Sequence, residues 1–404
     1  MRFHAIAALF AFALPLTAQN ADSEPDVAAQ IADTAAFTTR EVGDGIVLRQ
    51  RWFAKLFDGP QSLTVLELQR DRVTLRFDVE APGKLTPTST MAAQRGALAA
   101  INGGFFEPDA RPRGLLRLDG TLLVPATAGQ GSLGIDEHGG LLLAERPAGD
   151  WPEMREALGA GVVLLHEGKV VDHGERQRSI RHPRSAVGTT ADGRILLVTI
   201  DGRTDKARGT SYEETAKLLA ALGCTEAINL DGGGSSTLWV ATLGVCNYPC
   251  DNLRFDHQGE RAVANALLVY APAVILVDDD DAELRGQGFV QVRDGTGIHG
   301  PDCTLWQGDG DGEVVFAAEL PFAGKWRALL WTPKVKGAEG ALRAEIAVGT
   351  QQPKLDGQTL RGKPGEWVEI GRFELAQKGR VAAHLTPARG APFVADAVKF
   401  AQQP

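Results

Sequence analysis

The run Ala227-Ile228-Asn229-Leu230-Asp231-Gly232-Gly233-Gly234-Ser235-Ser236 constrains this chain more than any other stretch. A short apolar segment, of a length suited to a buried strand, ends on a carboxylate and is followed by glycines and hydroxyls. Consecutive glycines cost chain entropy, so they sit where the backbone needs positive φ or where something must approach closely. A carboxylate leaving a buried strand beside such a turn is where open α/β sheets place ligands. Taken alone, the stretch fits a plain Gly-rich turn with a solvated Asp equally well.

Its neighbours add weight. Upstream, Arg194 to Ile200 reads as a strand that ends on Asp201-Gly202-Arg203. Between the two strands, Ser211-Tyr212-Glu213-Glu214 has the pattern of a capping box, and Tyr212, Ala216, Leu219 and Leu222 follow at helical spacing before Gly223. Strand, helix, strand predicts a βαβ unit with parallel strands, which places Asp201 and Asp231 side by side on one edge. Earlier, Leu98 to Ile101 runs into Asn102-Gly103-Gly104-Phe105-Phe106, the same order of apolar strand, polar residue and glycine.

A chain of 404 residues has room for two or three domains, and 44% hydrophobic with 23% charged residues is ordinary for a globular protein. The net charge of −9 argues against a nucleic-acid partner, because phosphate backbones need a basic field. Past the N-terminus no apolar run is long enough to span a membrane. Residues 1–18 read as a signal for export to the periplasm or outside the cell, with Arg2 before an apolar segment and Ala18 as a small residue for cleavage; 19–36 reads as a linker. In an exported chain the spacing of Cys246 and Cys250 suggests one local disulfide, leaving Cys224 and Cys303 unpaired.

Residues 37–272 then carry alternating strands around the two motifs, and Arg181-His182-Pro183-Arg184 crowds basic side chains at the start of a strand. A solvated hairpin explains them, and so does bidentate recognition of a phosphate or carboxylate by Arg. From 273 to 404, Val274 to Val277 enters the acidic run Asp278-Asp279-Asp280-Asp281, and short alternating segments separated by turns predict an all-β sandwich. Asp309 to Glu313 reads as a polar turn, since it lacks EF-hand spacing. The expected fold is therefore an α/β (α+β mixed-sheet) catalytic domain containing a βαβ unit, followed by a C-terminal all-β sandwich.

Asn102-Gly103-Gly104-Phe105-Phe106, His182-Pro183-Arg184-Ser185-Ala186-Val187-Gly188, Asp201-Gly202-Arg203 and Asn229 to Ser236 stand in the order that resembles the phosphodiester glycosidases. The likeness covers roughly residues 60 to 271, with Arg261 to Asn265 similar to the family's closing segment. Cys246 and Cys250 depart from it. The tail resembles the golvesin C-terminal-like domain, mainly at Gly365 to Phe373 and Val394 to Phe400, which implies an accessory, carbohydrate-binding role.

The first resemblance implies hydrolysis of a sugar phosphodiester at the anomeric carbon, on an envelope or extracellular polysaccharide. A phosphate monoester is a stable leaving anion, so cations and N–H donors matter more than a strong acid. Asp231 is then the first candidate for the catalytic carboxylate and Asp201 the second. Arg184 and His182 suit the phosphate, with the backbone of Gly232, Gly233, Gly234, Ser235 and Ser236 as an anion nest, and Asn102 and Gly103 beside the substrate. Glu214 is explained by its cap. The chemistry requires no cofactor, although a divalent metal, calcium or magnesium, is compatible with it. Two other readings are a non-catalytic carbohydrate- or envelope-binding protein, and a metal-dependent phosphodiesterase that cuts P–O with Asp201 and Asp231 as ligands. The sequence sets no oligomeric state.

Overall fold

A computed structural model describes residues 27–81, 83–174, 180–338, 342–349 and 363–404. The expected export signal at 1–18 lies outside them. So do residues 19–26 of the expected linker; its described part, 27–36, begins with the helix Val27–Ala32.

An eight-stranded sheet forms the centre, in the order Thr38–Gly43, Ile46–Leu56, Gly59–Leu68, Ile195–Ile200, Arg184–Thr190, Cys224–Asn229, Val163–His166, Lys169–Val170. Every neighbouring pair in it is antiparallel. This corrects the expected α/β class: the described chain is nearly all β, in several antiparallel sheets. The strands Ile195–Ile200 and Cys224–Asn229 do not pair; Arg184–Thr190 lies between them and is antiparallel to both. The intervening helix, Tyr212–Ala221, thus bridges a strand rather than closing a βαβ unit, although its capping box at Ser211 and Glu214 forms as expected.

The misreading has a physical cause. Both faces of the central sheet are buried. Leu197, Val187 and Ile228 join one apolar cluster, while Leu196, Val198, Ala186 and Ala227 join another beneath Leu218 and Leu219 of the helix. Strands covered on both sides read as continuous apolar runs, the pattern usual for parallel sheets.

Two five-stranded sheets and a two-stranded one, Thr86–Pro87 with Ala262–Val263, complete this region. One five-stranded sheet is ordered Leu141–Arg146, Gln130–Asp136, Met154–Gly159, Leu116–Leu118, Thr121–Val124; the other Gly244–Val245, Leu238–Val240, Ala99–Asn102, Asn265–Tyr270, Thr74–Val79. From Val274 on, two four-stranded sheets and one three-stranded sheet follow, again all antiparallel. This tail docks on the first strand: Lys399 Nζ donates to Glu41 Oε2 at 2.7 Å, and Gly43 bridges to Ala273.

The four cysteines are buried and free. The expected Cys246–Cys250 disulfide is not formed: Cys246 Sγ donates to the Gly244 carbonyl, while Cys250 lies beside Arg203.

Candidate active site

Antiparallel pairing brings the start of one strand beside the ends of its two neighbours. Arg184 opens its strand opposite Ile200, and Ala186 pairs with Asn229. Arg184, Asp201 and Asp231 therefore share one sheet edge. The Asn102 end of a second sheet meets this edge, since Ala266 pairs with Asn102 and places Asn265 next to it.

Cross-bracing locks the edges together. Asp231 N donates to Gly103 O at 3.0 Å, and Asn102 Nδ2 donates to Asp231 O at 2.7 Å. Asn102 Oδ1 accepts from Ser185 Oγ at 2.6 Å and from Thr237 N at 3.1 Å. Asn102 was expected to contact substrate; its side chain joins three segments and so braces the two sheet edges. Gly103 belongs to the same brace, its N–H bonded to Asn265 O at 2.9 Å.

Asp201, the expected second catalytic carboxylate, also joins neighbouring segments through its hydrogen bonds. It is 1% exposed, accepts from Ser62 Oγ at 2.6 Å on one oxygen, and from Asn247 Nδ2 at 3.0 Å and Tyr248 N at 2.9 Å on the other. Burial raises its pKa above the ordinary range against those hydrogen bonds. Asp231 differs in being partly exposed. Burial raises its pKa too, opposed by the Ser235 hydroxyl, Arg261, the Gly232 N–H and Arg113. Ser235 Oγ is near enough to act on that carboxylate, yet lies outside hydrogen-bond geometry to any group.

The Gly-rich turn has steric reasons. Gly233 sits at φ +63, and a Cβ there would come within 3.0 Å of the Arg203 guanidinium. At Gly234 a Cβ would overlap Asp251 Oδ1 and the Arg261 guanidinium, which form a bidentate pair at 2.6 and 2.8 Å beneath the turn. The anion nest is smaller than expected. Gly233 N already donates to Pro183 O, Ser235 N to Gly232 O and Ser236 N to Gly233 O.

Cations collect on the other side. Arg184 is buried, with Nε on Thr210 O at 2.8 Å, Nη2 on Ile180 O at 3.0 Å and its guanidinium 4.1 Å over the Tyr212 ring. Burial lowers its pKa, and no carboxylate among the described residues forms a salt bridge to it. Arg181, next in the chain, is held instead by Glu214. Arg203 Nη2 lies 3.3 Å from His182 Nδ1. A guanidinium only donates, so Nδ1 accepts and the ring proton sits on Nε2. Burial, then Arg184 and Arg203, depress the His182 pKa, which keeps the ring neutral near pH 7.

Sequence reasoning missed Arg203, Asn265 and the Arg261–Asp251 pair. Arg203 follows Asp201 by two residues and was visible as a motif position. Asn265 is 1% exposed; its Oδ1 accepts from Gly104 N at 2.7 Å, while its Nδ2 has no partner. The hydroxyls of Ser235, Ser236 and Thr237 and Asn229 Oδ1 are likewise buried without partners. Buried polar atoms left unpaired are costly, so a cluster of them beside a carboxylate, and beside cations with no salt bridge among the described residues, suits a polar, anionic ligand. Asp201 and Asp231 are not among the described groups with metal-ligand spacing.

Residues 95–270 match the family model described as phosphodiester glycosidase. The N-acetylglucosamine-1-phosphodiester alpha-N-acetylglucosaminidase of Mus musculus is 30% identical over 121 residues, which is 28% of this chain and 23% of the mouse protein. An SPbeta prophage-derived uncharacterized protein of Bacillus subtilis is 33% identical over 120 residues, 30% of this chain and 16% of that protein. The chain thus spans less than a quarter of the length of these curated relatives. The solved catalytic domain of the zebrafish N-acetylglucosamine-1-phosphodiester alpha-N-acetylglucosaminidase, auto-inhibited by its pro-peptide, aligns at a TM-score of 0.46 with 22% identity. That alignment covers 59% of this chain and 85% of the zebrafish one.

Proposed function

We propose, from the premise that residues 95–270 form a phosphodiester glycosidase domain, that this chain hydrolyses a sugar phosphodiester at the anomeric carbon. The observation that carries the reading is the pairing, at one sheet edge, of a partly exposed carboxylate with a cationic recess. Asp231 stands beside buried hydroxyls that have no partner, and Arg184 is buried with no salt bridge to a carboxylate among the described residues. Arg184 and Arg203 take the phosphate, and neutral His182 donates from Nε2. Asp231 attacks the anomeric carbon or deprotonates the water that does. The C–O bond breaks, and its electron pair leaves with the phosphate monoester. Asp201 and Asn102 position the two strand ends and do not touch the reacting atoms. Export, suggested by residues 1–18, and the tail's likeness to an accessory domain favour an envelope or extracellular polysaccharide as the natural substrate.

Hydrolysis of a panel of sugar-1-phosphodiesters in ¹⁸O-water tests this. Label should appear in the released sugar; label in the phosphate would mean P–O cleavage, and binding without turnover would leave a carbohydrate-binding protein. Asp231→Asn should lower kcat by about 10² to 10⁴ with little change in KM. Because the Asp231 pKa is raised and the ionised form is required, wild-type activity should fall on acidification through a limb above the ordinary aspartate range. The residual activity of Asp231→Asn should lack that limb. Near wild-type kcat in the folded variant would remove Asp231 from the mechanism.

A further inference from the structure

The tail holds a second cluster that the proposed hydrolysis does not use. The strand Val274–Asp278 pairs with Ala397–Gln402 so that Asp278 faces Ala397, which places Asp396 beside Asp278 and Asp279. Oxygens of Asp278, Asp279 and Asp396 lie within 4.8 Å of one another, and Asp279 is shared with a second group of Asp280 and Asp302. Oxygens bound 2.3–2.6 Å from one ion span about this distance.

An acidic cluster alone marks nothing; here a separate feature points to a ligand. Asp279 is 2% exposed and Asp396 0% exposed. One oxygen of each is satisfied: Thr304 Oγ1 donates to Asp279 Oδ2 at 2.7 Å, and His299 N donates to Asp396 Oδ2 at 2.8 Å. The other oxygens, Asp279 Oδ1 and Asp396 Oδ1, are buried with no donor. The basic side chains that the described residues place there are Arg293, paired with Asp302 at 3.1 Å, and the His299 ring, 3.3 Å from Asp278 Oδ2. Neither has a hydrogen bond to Asp279, and the only His299 bond to Asp396 comes from its backbone N–H.

We infer that Asp278, Asp279 and Asp396 bind a calcium ion that ties the first strand of the tail to its last. Calcium takes several carboxylates directly, whereas magnesium keeps most of its water and one or two carboxylates. Asp278 and Asp396 are far apart in sequence, so an ion between them closes a long loop of chain and stabilises the tail.

Isothermal titration of the full chain, stripped with EGTA, should show calcium binding, with magnesium at least tenfold weaker. Calcium should raise Tm by several degrees, and EGTA should reverse the rise. Asp396→Asn should weaken calcium at least tenfold. If that variant does not fold, the half-buried Asp278→Asn serves in its place, and wild-type terbium luminescence quenched by calcium gives an independent readout. Absence of calcium heat and of any Tm change in the stripped wild type would overturn the inference, as would unaltered affinity in the folded variants. Hydrolysis of sugar phosphodiesters is not the readout, so this result and that of the proposed activity fail separately.

Discussion

Ser62, Asn247 and Tyr248 occupy both oxygens of Asp201 before any substrate arrives. Asn at this position keeps an acceptor for Asn247 and Tyr248, and the Ser62 hydroxyl can turn to accept from the new amide. Asp201→Asn should therefore keep kcat within about tenfold, whereas Asp201→Ala, which strands buried donors, should lose about 2–4 kcal/mol in chemical denaturation. A hundredfold loss in folded Asp201→Asn would return Asp201 to the chemistry. The sign with pH follows from burial. The folded pKa of Asp201 is raised, so its contribution is greatest below the ordinary aspartate range and is lost as pH climbs through the raised value. Asp201→Asn should remove that slope. At this scale the sequence made Asp231, Arg184 and the glycines legible, because a carboxylate, a cation and a tight turn are local properties. The bracing roles of Asn102 and Asp201 were not, because their partners are strands brought from far along the chain.

The turn from Asp231 to Ser236 works as an element through what lies beneath it. Gly234→Ala would push a methyl into the Asp251–Arg261 pair, and Arg261 in turn acts on Asp231. This variant should lower Tm and reduce activity more than Gly244→Ala, where a Cβ meets open space although φ is +81. Equal effects at the two glycines, measured by thermal melts and initial rates, would remove the clash with the Asp251–Arg261 pair as the cause. The helix Tyr212–Ala221 was legible to its cap, since Ser211 and Glu214 are local. The pairing of the strands it joins was not. The hairpin of Arg184–Thr190 with Ile195–Ile200 follows from their succession across Asp192-Gly193, but the pairing of its other edge with Cys224–Asn229 does not, because apolar runs on a doubly covered sheet carry no alternation to reveal antiparallel pairing.

Across the whole molecule the core is a continuous packing of the central sheet against the tail, with Val42 and Ala273 in the same apolar cluster as Phe316 and Phe400. No crosslink between its cysteines supports it, since all four thiols are free. Burial raises the pKa of Cys224, Cys246 and Cys303 to about 12. An aromatic disulfide reagent should therefore titrate four thiols in denaturant and almost none in the native protein, and a reducing agent should leave Tm unchanged. Two thiols in denaturant would restore a disulfide. The sequence's spacing argument failed here because distance along the chain says nothing of which way each thiol points.

The braces around Asp231 span great lengths of chain: Asn102 to Asp231 is 129 residues, Ser62 to Asp201 is 139, and Gly104 to Asn265 is 161. Contacts of such separation form late and slowly, because loop closure must come first. No local fragment can hold the carboxylate, the cations and the hydroxyls in register, so the site comes into being only when the strands on both sides of it have condensed. Substitutions that slow this condensation should lower the fraction of competent molecules while leaving turnover per competent molecule intact, so that yield and rate vary independently.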